Sequence, residues 1–146
     1  MKTLITLIAT AVFTFVSSFV FADTKPEPVR FFKVESIIDH YIDAANNGKT
    51  EFLNDLFTQN FKYSTPNNGK NELIGRKDLI NYWKSTKGIK LDAKTDYAFV
   101  EKNDDCSIVR IRTSFENFTR FDYITLCNSK DGWKISNVTV TYPEKK

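Results

Sequence analysis

The stretch "DCSIVRIRTSFENFTRFDYITLC", residues 105–127, decides the fold that this sequence predicts. Apolar and polar residues alternate on both sides of residues 116–117, which is the pattern of two antiparallel strands joined by a tight turn. A turn at that point places Cys106 directly opposite Cys127. The sequence therefore predicts a β-hairpin with a cysteine at each outer end.

Asp122 stands in the second strand of this hairpin, opposite Ile111. It shares its side of the strand with Ile124 and Leu126, on the more apolar face of the hairpin. A carboxylate that points into the core is costly unless a partner compensates its charge, and Arg120 lies on the same face. We expect Asp122 to point inward, either as a structural carboxylate or as an acid or base with a raised pKa.

Three helices are predicted before the strands. Gly48 ends the first helix, and Thr50 can cap a second, shorter one. A short strand is expected near Phe61, then a loop over residues 64–71, and then a third helix over residues 77–85. The apolar stripe of the first helix has the 3.6-residue period and consists of Val34, Ile37, Ile38, Tyr41, Ile42 and Ala45.

From Lys90 onward the period changes to two, and four strands are predicted, at residues 91–101, 106–115, 119–128 and 133–142. In the last strand Ile135 and Val138 have different parities, so a β-bulge near Ser136 is needed for both to face the core. Helices followed by an antiparallel meander define an α+β domain. A bent sheet wrapped around the helices forms a cone with a hollow end.

The N-terminal residues are predicted to be a signal peptide. Lys2 precedes an uncharged stretch rich in Leu, Ile, Val and Phe, which ends in Val20-Phe21-Ala22, a sequence that a signal peptidase can cut. Residues 1–22 would then be removed, residues 23–31 would form a tether, and residues 32–143 would form the folded domain. The alternative is an uncleaved membrane anchor.

We accordingly expect an exported protein, periplasmic or extracellular, with no membrane attachment once the signal peptide has been removed. Export implies an oxidising compartment, in which a disulfide between the opposed Cys106 and Cys127 would persist. The alternative is a pair of free, buried thiols.

Composition and motifs argue against several classes of function. The formal charge of +3 is spread along the chain without a basic block, so no nucleic-acid partner is expected. The two cysteines lack the spacing of a metal site, and His40, the only histidine, is predicted to lie on the solvated side of the first helix. We therefore expect no metal and no cofactor.

The segment "RFDYITLCNSKDGWKISNV", residues 120–138, resembles the NTF2-like superfamily, together with "YIDAANNGKTEFLNDLF" and "GRKDLINYW". This superfamily includes nuclear transport factor 2, ketosteroid isomerase and the SnoaL-like cyclases. Within it, the pattern is similar to the "Putative lumazine-binding" family. The resemblance implies a cone in which three N-terminal helices pack in a curved antiparallel sheet, and a homodimer formed through the open face of the sheet.

The hollow end of such a cone would bind a small, mainly apolar or heteroaromatic molecule. Tyrosine and tryptophan combine apolar area with a hydrogen-bond donor, which suits a planar ligand. For the aromatic residues the alternative is that they only fill the core. The predicted ligand-binding residues are Tyr41, Tyr63, Trp83, Asp122 and Asn137.

Two other functions are compatible with the same sequence. In an enzyme of the isomerase or cyclase type, Asp122 would be the general base and a tyrosine hydroxyl would stabilise an enolate, as in ketosteroid isomerase. In a protein-interaction module, the open sheet face would dock a partner while the protein's own side chains fill the cone. Whether the protein is an enzyme is left open by the residues alone.

Overall fold

The computed structural model describes residues 28–67 and 70–143. The predicted signal peptide, residues 1–22, and residues 23–27 of the predicted tether lie outside the described residues. No helix in the described part of the chain is long and apolar enough to cross a membrane.

Three helices and one curved sheet follow one another along the described chain. The elements are α1 (Val34–Asn47), α2 (Leu53–Leu56), β1 (Phe57–Asn67), β2 (Lys70–Gly75), α3 (Arg76–Ser85), β3 (Lys94–Lys102), β4 (Cys106–Ser114), β5 (Thr119–Ser129) and β6 (Gly132–Thr141). The strand order is β2-β1-β6-β5-β4-β3. β1 and β6 are parallel, and the other neighbouring strands are antiparallel. The predicted α+β fold class is confirmed.

The hairpin formed by β4 and β5 has the predicted register. Ile111 pairs with Asp122, as the turn position required. Between β5 and β6, Thr125 pairs with Asn137 but Leu126 pairs with Ile135, so Ser136 is the extra residue of a β-bulge. The bulge lets residues of both parities in β6 face the core, because Ile135, Val138 and Val140 are all buried.

The predicted loop is wrong for residues 64–67 and 70–71, and its residues 68–69 lie outside the described residues. β1 continues to Asn67 and β2 begins at Lys70, so the two strands form an antiparallel pair at the edge of the sheet. The polar composition that predicted a loop is tolerated here because β2 is an edge strand whose residues are mostly exposed. The predicted cap of α2 is wrong as well, since α2 begins at Leu53 without a side-chain cap from Thr50.

The core lies between α1 and the concave face of the sheet. The predicted stripe of α1 contributes Val34, Ile37, Ile38 and Tyr41, each with 3% or less of its surface exposed. The same core contains Ile111, Ile124, Leu126 and Val138 from the facing strands. Full burial of one such aliphatic side chain is worth about 2 kcal/mol, so this shared core holds α1 against the sheet.

His40 is half-buried against aromatic rings, whereas a solvated side chain was predicted. Its ring centroid lies 4.3 Å from that of Phe52 and 5.3 Å from that of Phe31. Phe31 is itself buried, and its carbonyl oxygen accepts a hydrogen bond from the backbone N–H of Trp133 at 2.7 Å. The end of the predicted tether is therefore part of the folded domain, and α1 buries a wider face than its apolar stripe indicated.

Candidate ligand-binding cavity

A cavity of about 460 Å³ lies between α1, α3, β1 and β5. Four of the five predicted ligand-binding residues line it, namely Tyr41, Tyr63, Trp83 and Asp122. Most of the other lining side chains are apolar or aromatic: Ala44, Ala45, Ile74, Leu79, Tyr82, Ile89, Leu91 and Tyr142. The fold thus brings together aromatic residues from three separate elements around one buried carboxylate.

Asp122 is 1% exposed, and three hydrogen bonds satisfy its carboxylate. Arg120 Nε donates to Oδ1 at 2.8 Å, and Arg120 Nη2 donates to Oδ2 at 3.2 Å. The Tyr41 hydroxyl donates to Oδ2 at 2.9 Å. The predicted partner of Asp122 is therefore present, and Tyr41 is a second partner from α1. Because all three contacts are donors, they suit the ionised form of the carboxylate.

Burial and the ion pair have opposite effects on the pKa values of Asp122 and Arg120. Burial raises the pKa of Asp122, while the charge of Arg120 and the hydrogen bonds from Tyr41 and Arg120 oppose that rise. Burial lowers the pKa of Arg120, but the neighbouring carboxylate outweighs it and the net change is upward. Burial, reinforced by Asp122, raises the pKa of Tyr41 and also that of Tyr63. Both tyrosines therefore remain neutral donors.

Asn46 extends the cluster into a network that sequence reasoning missed. Arg120 Nη2 donates to Asn46 Oδ1 at 3.1 Å. The Asn46 amide nitrogen in turn donates to Thr95 Oγ1 at 3.0 Å and to Thr113 Oγ1 at 3.3 Å. Asn46 lies two residues before Gly48, so by residue type it indicates no more than the approach to a helix end. Its spacing of four residues from Ile42 continues the apolar stripe, and this spacing was the signal for a buried side chain.

The aromatic wall of the cavity is built from α1, α3 and β1. Trp83, which α3 buries to 6% exposure, meets the Tyr41 ring edge-on at a centroid distance of 5.4 Å. Phe57 packs behind Trp83 at 5.8 Å. The edge-to-face contact between Tyr41 and Trp83 is a favoured aromatic geometry, and it stabilises the orientation of these two rings.

Asn137 does not line the cavity, so the prediction that it binds the ligand is not supported by its position. It pairs with Thr125 in the sheet, and its amide nitrogen donates to Thr139 Oγ1 at 3.4 Å. The bulge at Ser136 is the physical reason, since it reverses the parity of β6 and turns Asn137 toward the outer face while Val138 enters the core.

Cys106 and Cys127 are free thiols in the structure, so the predicted disulfide is not present. Their predicted register is correct, because the two residues pair directly. The Cys127 thiol donates instead to Ser136 Oγ at 3.6 Å. Burial raises the pKa of the Cys106 thiol, and the neighbouring Cys127 reinforces the rise. Direct pairing of two cysteines on neighbouring strands brings their Cα atoms close, but it does not determine where the sulfur atoms point.

The described residues contain no group of His, Cys, Asp and Glu side chains that could hold a metal ion. A larger groove of about 670 Å³ lies near Pro28 and Lys134, but none of the predicted ligand-binding residues contributes to it. Its lining residues are mostly exposed, whereas the wall of the cavity beside Asp122 includes the buried side chains of Tyr41, Trp83 and Asp122. The smaller cavity is therefore the candidate site.

The family model described as "Putative lumazine-binding" matches residues 30–141, which is more than half of the chain, and the chain belongs to this family. The comparison with curated proteins found no match.

Among solved structures, the chain is similar to an NTF-2 like protein of unknown function from Silicibacter pomeroyi DSS-3, with 14% identity and a TM-score of 0.62 over 75% of this chain and 92% of that one. An NTF2-like protein of unknown function from Methylobacillus flagellatus KT has 19% identity and a TM-score of 0.61, over 75% and 89% of the two chains. A ketosteroid isomerase-like protein from Erwinia carotovora atroseptica SCRI1043 has 14% identity and a TM-score of 0.58, over 77% and 95%. These similarities establish the NTF2-like fold.

Proposed function

We propose that this protein binds a small, planar, mainly apolar or heteroaromatic molecule in the cavity beside Asp122. One observation carries the proposal: aromatic side chains from α1, α3 and β1 surround an open cavity beside the buried Asp122–Arg120 pair. Its volume of about 460 Å³ is within the range of small-molecule sites, roughly 300–1,000 Å³. The protein's own side chains leave this space open, which supports ligand binding over a cone that is merely filled.

The geometry gives less support to the alternative of an isomerase-type enzyme with Asp122 as general base. A general base must reach the proton that it removes, and its carboxylate must be free to accept it. Here two nitrogens of Arg120 and the Tyr41 hydroxyl occupy the Asp122 carboxylate. The Tyr41 hydroxyl, one tyrosine donor that could stabilise an enolate, instead donates to the base itself. Binding without turnover therefore fits the cluster better.

Filling the cavity tests the binding proposal. Ala45 lines the cavity from α1, and Ala45→Phe would occupy part of the ligand's volume. Ala98→Phe is the matched control, because Ala98 is exposed and pairs with Arg110 on the opposite face of the sheet. A thermal-shift screen of the purified protein against flavin-like, steroid and polyketide compounds should give a hit that Ala45→Phe abolishes and Ala98→Phe preserves. A hit that survives Ala45→Phe would place binding elsewhere.

Export is part of the same proposal. A signal peptide over residues 1–22 would direct the binding domain to the periplasm or the extracellular space, where it would meet its ligand without membrane attachment. Mass spectrometry of the protein recovered from the producing cells would give the mass of a chain that begins at Asp23. An intact N-terminus in the membrane fraction would support an uncleaved anchor instead.

We further propose that the protein forms a homodimer through the outer face of its sheet. The described outer face exposes Ile108, Arg110 and Tyr123 side by side. The Arg110 guanidinium lies 5.5 Å from the centroid of the Phe121 ring. Aromatic and arginine side chains of this kind are enriched in protein interfaces. A protein partner other than a second copy is the alternative occupant of this face.

A further inference from the structure

Arg120 uses only part of its hydrogen-bonding capacity in the cluster. A guanidinium group has five N–H donors. Among the contacts of the described residues, Nε donates to Asp122 and Nη2 donates to Asp122 and Asn46, while Nη1 donates to none. The fully buried side-chain polar atoms without a partner in the described chain are Arg76 Nε and Ser107 Oγ, so Nη1 is not sealed off. Since Arg120 lines the cavity, Nη1 is a donor that a ligand can reach.

Tyr63 supplies a second donor in the same cavity. Its side chain is half-buried on β1, and its hydroxyl makes no hydrogen bond with another described residue. Tyr63 and Arg120 both line this cavity. Arg120 Nη1 and Tyr63 Oη are therefore two donors in the same cavity, whose other lining residues are mostly apolar or aromatic.

We propose that the cavity recognises a neutral, planar molecule by a carbonyl oxygen that accepts hydrogen bonds from Arg120 Nη1 and Tyr63 Oη. The ring system of the ligand packs against the aromatic wall formed by Tyr41 and Trp83. This inference rests on the proposed function and adds the chemical group by which the ligand is held.

The charges in the cavity favour a neutral ligand with a hydrogen-bond acceptor over an anionic ligand. Asp122 already compensates the charge of Arg120, with a distance of 2.8 Å between Arg120 Nε and Asp122 Oδ1. The side chains of the pair are only 14% and 2% exposed. A carboxylate ligand would lose its hydration and would also face the buried carboxylate of Asp122, so nothing would offset its desolvation. A carbonyl oxygen gains the hydrogen bonds without that cost.

Three naphthalenes of similar size test the inference, with dissociation constants measured by NMR titration of the purified protein. These probes are 2-acetylnaphthalene, 2-ethylnaphthalene and 2-naphthoate. The neutral ketone should bind about tenfold more tightly than the hydrocarbon, because only the ketone of these two can accept a hydrogen bond from the charged Arg120 side chain. The naphthoate should bind more weakly than the ketone.

Two variants test whether the preference for the ketone over the hydrocarbon arises in the cavity. Tyr63→Phe should reduce the advantage of the ketone over the hydrocarbon by a factor of about 2 to 10, because one neutral hydrogen bond is lost. Tyr123→Phe, on the outer face, should leave that advantage unchanged. Equal binding of the ketone and the hydrocarbon, or tighter binding of the naphthoate, would overturn this inference but leave the proposed function standing. Absence of binding by all three would count against both.

Discussion

The Asp122–Arg120 pair places two opposite charges in the wall of an otherwise apolar cavity. Such a pair adds little net stability when complete, because desolvation offsets its Coulomb attraction. Removing one partner destabilises the protein, because it leaves the other charge buried and uncompensated. Tyr41 adds a hydrogen bond to Asp122 and Asn46 accepts one from Arg120, so the cluster is an interdependent unit.

Asp122→Asn should lower the free energy of unfolding by roughly 3 kcal/mol, because Arg120 then keeps its charge without a counterion. The double variant Arg120→Gln/Asp122→Asn should lose less, because it removes both charges and keeps hydrogen-bonding groups. Urea unfolding of the two variants and the wild type measures the difference. If the double variant were the less stable one, the charge would not be the cause.

Tyr41 makes a second residue-scale prediction, for alkaline pH. Its raised pKa means that the folded protein keeps the hydroxyl proton where the unfolded chain, with a tyrosine pKa of about 10, releases it. The unfolded state then binds fewer protons, so the free energy of unfolding falls as the pH rises above about 10. Urea unfolding across this range should show a shallower fall for Tyr41→Phe than for the wild type. Identical pH dependence of the two proteins would contradict this account.

At the scale of elements, the end of α1 and the segment after α3 meet at two glycines. Gly48 caps α1 in the left-handed conformation, with φ of 64°, and its carbonyl oxygen accepts a hydrogen bond from Gly88 N–H at 2.9 Å. A Cβ on Gly48 would lie 2.6 Å from Gly88 N, whereas a Cβ on Gly88, with φ of 80°, would meet nothing within 4 Å. The close approach that orients α1 therefore depends on Gly48.

Gly88→Ala should cost about 1 kcal/mol, which is the strain of a positive φ in a residue with a side chain. Gly48→Ala should cost clearly more, because it adds a backbone clash to the same strain. Thermal or urea unfolding measures the stability of both variants. Because both replace a glycine with positive φ, the difference between their losses of stability is the cost of the clash. Equal losses would mean that the backbone at Gly48 relaxes freely.

At the scale of the whole molecule, the bent sheet has two faces that are proposed to bind different partners. Its concave side holds α1 and the cavity, and its outer side exposes Tyr123 and Ile108. The bulge at Ser136 belongs to this division, because it allows β6 to bend while Ile135 and Val138 both stay in the core. A ligand and a second copy of the chain could therefore be bound at the same time on opposite sides.

Tyr123→Asp should convert the proposed homodimer into a monomer, because it places a charge in the middle of the outer face. Phe32→Asp is the control, since Phe32 is 76% exposed and precedes α1, away from that face. Sedimentation equilibrium measures the mass of each variant. A wild-type protein that sediments as a monomer at every concentration would refute the dimer.

Local periodicity was sufficient to determine much of this protein. The alternation in residues 105–127 established the hairpin register, and with it the inward direction of Asp122, because side chains in a strand alternate strictly between two faces. The 3.6-residue stripe predicted the buried face of α1 for the same kind of reason. The conflict of parity in β6 even predicted the bulge.

Only the tertiary structure decided what depends on packing between distant segments. It made residues 64–67 and 70–71 part of an edge pair and set β1 parallel to β6, because strand pairing is a long-range choice that composition does not encode. It joined Asn46 to Arg120, turned Asn137 away from the cavity and left the two thiols unbonded. Side-chain periodicity is a local property of the chain, whereas the partner that a buried polar group finds is a property of the assembled core.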